Sequence, residues 1–217
     1  MTQDLVKNEF DFGWKKWINA PEFAELTLQY QKGDILDVGC ATCQLYDFLR
    51  DNGWKNYYTG IDFQKYVNYD YPEDVNLIIG DALDIEFPEV DTVILYNILE
   101  HVDDPVSLVK KALVAARENV LINVPKRNEK MWANGIVEFH QLDKTHKHCG
   151  YSKEEIYNLI SLSGGEISNY KDMDPVDATT GVNLWNSRIP KFIVYLLIKI
   201  FSSKKFYKEM WLEVLLK

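Results

Sequence analysis

The sequence predicts an α/β fold, a mostly parallel β-sheet with helices packed on both of its faces. Three observations carry this reading. Short apolar, β-branched runs recur along the chain with helical stretches between them, the alternation that builds parallel sheets with crossover helices. A length of 217 residues is enough to bury a core between such layers and is crowded for two domains. No internal repeat or low-complexity linker divides the chain, so residues 1–217 are taken as a single domain.

Taken in order, strands are expected at 34–38, 57–61, 75–79, 92–96 and 119–124. After the fourth, Asp103-Asp104-Pro105 offers a capping carboxylate with proline in the first helical turn, and Val106, Val109 and Leu113 repeat at helix spacing. Ser152-Lys153-Glu154-Glu155 is a capping box, Ile156, Leu159 and Ile160 form an apolar face, and Gly164-Gly165 supply a stop. Two last strands are expected at 166–171 and 210–216, separated by the apolar segment 190–201.

Thirty-three acidic against 24 basic residues give a net charge of −9, which disfavours a protein whose affinity depends on neutralising phosphates, so nucleic acid is an unlikely partner. Cys40, Cys43 and Cys149 are an odd number in a chain too large to need stapling. Reduced thiols in the cytoplasm fit better, and no second cysteine pair follows Cys40-x-x-Cys43 to complete a zinc site. The start, Met1 to Leu5, lacks the basic and apolar runs of a signal peptide.

Asp37-Val38-Gly39-Cys40-Ala41-Thr42-Cys43 follows a strand and leads into Leu45, Phe48 and Leu49, the inner face of a helix. Small residues there let a ligand approach the backbone at the strand-to-helix turn. A dinucleotide fingerprint would want a small residue at Gln44 for close helix-to-strand packing, and a carboxylate at Asp37 has no role opposite a pyrophosphate. That carboxylate suits a cationic or hydrogen-bond-donating ligand.

These residues resemble the first motif of the class I S-adenosylmethionine-dependent methyltransferases, Asp-x-Gly-x-Gly-x-Gly after the first strand. Further segments occur in that family's order: Gly60-Ile61-Asp62 ending the second strand, Gly80-Asp81-Ala82 ending the third, 91–105 as the fourth strand and its loop in the small-molecule branch, and Val124-Pro125 ending the fifth. The resemblance covers roughly 34–170. It implies a Rossmann-like three-layer sandwich whose mostly parallel sheet has seven strands, the last antiparallel. It also implies S-adenosylmethionine as cofactor, held by Asp37, Gly39, Cys40, Ala41, Asp62, Phe63, Asp81, Ala82 and Asn97, with Asp62 forking onto the ribose hydroxyls. Ala41 and Cys43 depart from the family's glycines, and Cys43 is expected to narrow the pocket near the methionine part of the cofactor. Asp62 and Asp81 also suit a plainer role, capping the turns that follow them.

Methyl transfer from a sulfonium is an in-line displacement helped by alignment, exclusion of water and removal of an acceptor proton. His101 lies just past the carboxyl end of the fourth strand, where open α/β sheets place ligands. His146 lies in 140–148, and Asp-x-Thr-His segments like the one it closes border the acceptor pocket in this family. Both are the candidate catalytic residues. The acceptor-side loop is set at 126–150, with Trp132 in it, and the flank or lid at 1–30, with Phe10, Phe12, Trp14 and Trp17.

The expected activity is methyl transfer, most simply at oxygen, to a small-molecule or glycan-like acceptor. Two alternatives stay open. Glu100, His101 and His146 resemble metal ligands of the small-RNA terminal 2′-O-methyltransferases, which have a further Glu where Asn97 stands; with that carboxylate missing, no metal ligand is assigned. The other is a non-catalytic binding protein on the same fold. The apolar, lysine-flanked segment 189–208 is too short to span a bilayer and is read as a buried helix, or as a weak membrane-surface contact. Oligomeric state leaves no trace in the sequence.

Overall fold

The computed structural model describes residues 21–66, 69–127, 129, 143–176 and 206–217. Elements follow in the order α1 (Glu22–Tyr30), β1 (Ile35–Val38), α2 (Gln44–Asp51), β2 (Tyr58–Asp62), β3 (Asn76–Ile79), β4 (Val90–Tyr96), α3 (Pro105–Ala115), β5 (Ala116–Pro125), α4 (Lys153–Leu162), β6 (Gly165–Val176) and β7 (Phe206–Leu216). Each expected strand is present, with ends shifted by up to five residues. The expectations about 1–20, 128, 130–137, His140 and 177–205, which hold most of the lid, Trp132 and the apolar segment, lie outside the described residues.

The seven strands form one sheet in the order β3-β2-β1-β4-β5-β7-β6. The pairs β1–β2, β1–β4, β2–β3 and β4–β5 are parallel. β7 runs antiparallel between β5 and β6, the expected single reversal. The sandwich is thus the predicted Rossmann-like one.

Alternation along the central strands assigns side chains to two cores. Leu36, Val38, Val93, Leu95, Val120 and Ile122 face α3 and α4, meeting Leu108, Leu113, Ile156 and Ile160. Ile35, Ile94, Tyr96 and Leu121 face the other way, meeting Ala24 of α1, Leu45 and Leu49 of α2, and Trp211. Because the pattern has period two, Asp37 belongs to this second face, beneath α1 and α2.

The helix termini follow the sequence. Asp104 accepts the Ser107 N–H at 3.0 Å with Pro105 opening α3. At α4 the Glu155 N–H donates to Ser152 Oγ at 3.2 Å, and the Ser152 N–H donates back to the Glu155 carboxylate at 2.7 Å. Gly164, at φ 88°, ends α4 in the left-handed conformation that glycine adopts without strain. Among the described residues no helix is long and apolar enough to cross a membrane.

Candidate active site

At the carboxyl end of β1 the chain must turn sharply to enter α2, and it does so through three left-handed residues. Gly39, Ala41 and Cys43 have φ of 81°, 47° and 56°. A side chain at such a position costs about 1–2 kcal/mol, so Ala41 and Cys43 need outside support. The Gly39 and Cys40 N–H groups donate to the Ile61 carbonyl at 2.7 and 3.1 Å. The Ala41 N–H donates to Asp62 Oδ2 at 2.8 Å, and the Tyr71 hydroxyl donates to the Ala41 carbonyl at 3.1 Å. Strand β2 and the segment after it therefore hold the turn in place.

Cys43 does not narrow the cavity as expected. Its side chain is fully buried in the second core, with Leu49 and Tyr58, and does not line the cavity. Gly60 makes the room: a Cβ there would sit 2.7 Å from Cys40 Sγ and 3.5 Å from Cys43 Sγ. All three cysteines are free thiols.

Asp62 is buried at the end of β2, and its Oδ1 also accepts the Gln64 N–H at 3.2 Å. The capping role and a ligand role are compatible, because a carboxylate has about four lone-pair sites and the bonds from Ala41 and Gln64 do not fill them. Burial raises its pKa, against the backbone N–H groups of Gln64, Ala41 and Phe63. Asp37 is 5% exposed and accepts a short hydrogen bond from the Tyr58 hydroxyl. Burial pushes its pKa up to about 7, opposed by Tyr58 and reinforced by Asp62. A buried carboxylate so reluctant to ionise is a natural seat for a cationic group.

The ends of β3 and β4 complete the rim. Gly80 donates its N–H to the Asp62 carbonyl at 2.9 Å, and Asp81 Oδ1 accepts the Leu83 N–H at 2.8 Å, the turn-capping role foreseen for it. Asn97 sits at φ 49°, a conformation asparagine tolerates. Its N–H donates to the Asn123 carbonyl at 2.9 Å, and its Oδ1 accepts from Asn123 Nδ2 at 3.3 Å.

These pieces surround a cavity of about 600 Å³, within the range of small-molecule sites. Asp37, Gly39, Cys40, Ala41, Asp62, Phe63, Asp81, Ala82 and Asn97 all line it, as does His101. His146 does not, but its ring stands edge-on to that of His101 at 4.5 Å between centroids. Sequence reading did not assign Phe23, Gln44, Leu45, Tyr66 or Tyr96 to the ligand site, yet all five line the cavity. Phe23 and Tyr96 rings lie 5.0 Å apart, and the Tyr96 hydroxyl is fixed by Thr27 Oγ1 at 2.8 Å and Trp211 Nε1 at 3.1 Å.

The His101 end of the cavity is bordered by Asp143 and Thr145. The Thr145 hydroxyl donates to Asp143 Oδ1 at 2.7 Å, so it accepts from His101 Nδ1 at 3.2 Å. Nδ1 also lies 3.3 Å from the Thr145 carbonyl, which can only accept. Nδ1 therefore carries the ring hydrogen and Nε2 keeps its lone pair. Burial, then His146, lowers the His101 pKa and keeps the ring neutral. Burial resists ionisation of Asp143, yet Thr145 and the two imidazoles outweigh it and hold its pKa low.

Residues 36–121 match the family model described as a methyltransferase domain. No curated protein matches the chain significantly. Among solved structures, a SAM-dependent methyltransferase from Archaeoglobus fulgidus superposes with a TM-score of 0.63 at 14% identity, covering 99% of each chain. Magnesium protoporphyrin IX methyltransferase from Synechocystis PCC 6803, with bound SAH, gives 0.58 at 12%, covering 100% of this chain and 95% of that one. The [4+2]-cyclase SpnF gives 0.57 at 15%, covering 93% and 86%. At such identities the likeness is one of fold. The motif order, the methyltransferase domain matched over residues 36–121 and the shared fold make this chain similar to the class I S-adenosylmethionine-dependent methyltransferases.

Proposed function

We propose that the protein transfers the methyl group of S-adenosylmethionine to a hydroxyl oxygen of a small-molecule or glycan-like acceptor in the cytoplasm. One observation carries this reading. A single cavity joins the Asp37, Asp62 and Asp81 rim to a histidine-bearing end at His101, Asp143 and Thr145. In it, Asp62 accepts the ribose hydroxyls, Asp81 and Ala82 stand beside the adenine with Phe63, and Asp37 faces the cationic methionine part. The turn 39–41 brings the backbone close, and Asn97 closes the side nearest the acceptor.

The acceptor oxygen forms the new C–O bond as the sulfonium C–S bond breaks, which leaves S-adenosylhomocysteine uncharged at sulfur. The hydroxyl proton is lost at the His101 end, where His101 and His146 assist its departure. An acceptor without a high phosphate charge agrees with the acidic chain, and free thiols agree with a reducing compartment.

Calorimetry with S-adenosylhomocysteine is the first test. Saturable heat and a thermal shift are expected; neither, in a folded sample, overturns the assignment of the cavity. Turnover of methyl-¹³C cofactor with hydroxylated metabolites and sugars should give an O-methyl resonance, and an N- or C-methyl product overturns the oxygen assignment.

A further inference from the structure

We infer that Cys40 and Cys43 are a reversible disulfide site inside the cofactor turn, and that closing the disulfide and seating the cofactor oppose one another. The inference rests on the cavity being the S-adenosylmethionine site, as proposed above. The reaction partner is a low-molecular-weight disulfide of the glutathione class.

The backbone brings the two cysteines together. The Cys43 N–H donates to the Cys40 carbonyl at 2.8 Å, closing a four-residue turn with a cysteine at each end. The ends of such a turn stand less than about 7 Å apart at Cα, and disulfides bridge Cα separations of about 4.4–6.8 Å. The side chains also converge. Both thiols gather over Gly60 of β2, where an added Cβ would lie 2.7 Å from Cys40 Sγ and 3.5 Å from Cys43 Sγ. The Cys40 thiol is in direct contact with that of Cys43.

Access differs between the two thiols, as a two-step exchange requires. Cys40 lines the cavity, whereas Cys43 is fully buried behind it. A reagent entering the empty cavity therefore reaches Cys40 alone. The Cys40 thiolate attacks one sulfur of the incoming disulfide, a new S–S bond forms, and one small thiolate leaves with the electron pair of the broken bond. The Cys43 thiolate then attacks Cys40 Sγ, which forms the internal disulfide and expels the second small thiolate. The two cysteine protons end on the two small thiols, so the protein pair is oxidised and the reagent reduced. Contact with the Cys43 thiol and burial push the Cys40 pKa up, which makes the first attack slow.

The turn that carries the pair is the one that receives the cofactor. Its Gly39 and Cys40 N–H groups are held by the Ile61 carbonyl and its Ala41 N–H by Asp62, bonds that oppose any shift of the backbone after the sulfurs. An S–S bond of about 2.05 Å draws the Cys40 side chain from its place over Gly60 and reshapes the wall it forms. A cofactor seated against 39–41 covers Cys40 and shuts the reagent out. The coupling is reciprocal, so the disulfide weakens cofactor binding to the extent that the cofactor disfavours the disulfide.

Oxidised glutathione is the probe, applied to the full chain carrying Cys149→Ser so that the exposed third thiol does not report. Mass spectrometry should show the segment holding Cys40 and Cys43 losing two hydrogens, restored by dithiothreitol. Saturating S-adenosylhomocysteine should slow that loss about tenfold or more, and the oxidised protein should bind S-adenosylhomocysteine about tenfold or more weakly, recovering on reduction. Cys43→Ser in the same background should instead hold a glutathione adduct on Cys40, and its S-adenosylhomocysteine affinity before oxidation reports that it is folded. Absence of the disulfide in the folded protein, under glutathione conditions that form it in the urea-unfolded chain, overturns the site. Equal S-adenosylhomocysteine affinity in the oxidised and reduced proteins overturns the coupling. Failure of the reduced protein to bind S-adenosylhomocysteine, with the disulfide still forming, instead defeats the reading on which the inference rests.

Discussion

Replacing Asp37 with asparagine should stabilise the cofactor-free protein at neutral pH and weaken its hold on the cofactor. Asp37 is buried, and its pKa stands at about 7 because burial outweighs the Tyr58 hydrogen bond. In the unfolded chain an aspartate titrates near about 3.9. Between those values the native state binds the extra proton, so stability falls as pH rises from about 4 to 7, by about 1.4 kcal/mol per unit and about 4 kcal/mol in all. Asparagine has no such dependence. At pH 7.5 the variant therefore gains up to about 4 kcal/mol, less about 1–3 kcal/mol if its amide N–H groups lack acceptors. Urea unfolding of both proteins at pH 5 and 7.5, without cofactor, isolates the effect, because other titrating groups cancel between them. The wild type should lose about 3 kcal/mol more than the variant over that interval. In the same range its affinity for S-adenosylhomocysteine should rise about tenfold per pH unit and level off above pH 7, while the variant's stays flat. Parallel pH profiles in the two proteins would refute the reasoning.

On the proposed ribose contact, Asp62→Ala would remove two charge-assisted hydrogen bonds, about 3 kcal/mol or more, and should weaken S-adenosylhomocysteine binding about 100-fold or more by calorimetry. An unchanged Kd sinks the ribose assignment. Ala41→Gly relieves a left-handed alanine and should raise stability by up to about 1 kcal/mol in chemical denaturation; a clear loss would show that the turn is not strained there. Gly60→Ala drives a methyl group against Cys40 Sγ, and should cost about 1–3 kcal/mol and weaken cofactor binding, since Cys40 belongs to the turn. Wild-type stability and affinity in that variant would contradict the packing of the two thiols against β2.

The strands and the cofactor rim were legible because their signals are local. Apolar runs such as Ile35 to Val38 and Val93 to Tyr96 mark buried parallel strands, and each rim acid lies within two residues of a strand's carboxyl end. Contacts made across the sheet leave no local trace. Tyr58 lies under Asp37 because β2 pairs with β1, and Tyr96 meets Trp211 from 115 residues away. Phe23 enters the cavity because α1 packs on the face that also carries Tyr96. Cys43 shows the limit most clearly: its position in the turn was readable, but the direction of its thiol depends on a missing side chain at Gly60. The gathering of Glu100 and His101 with His146 likewise depends on two loops far apart in sequence, joined at the Glu100 carbonyl and between His101 and Thr145.

The position of β7 also orders events during synthesis. β6 leaves the ribosome before the strand that will join it to the sheet, since β7 alone lies between it and β5. The β1 to β4 half, which bears the cofactor rim, can collapse from contacts close in sequence. Closure of the remainder waits for residues 206–216, which bring Trp211 to Tyr96 and Glu213 to Asn119. A nascent chain stalled before that segment would expose the open edges of β5 and β6, the kind of surface that chaperones recognise and that pairs wrongly when left uncovered.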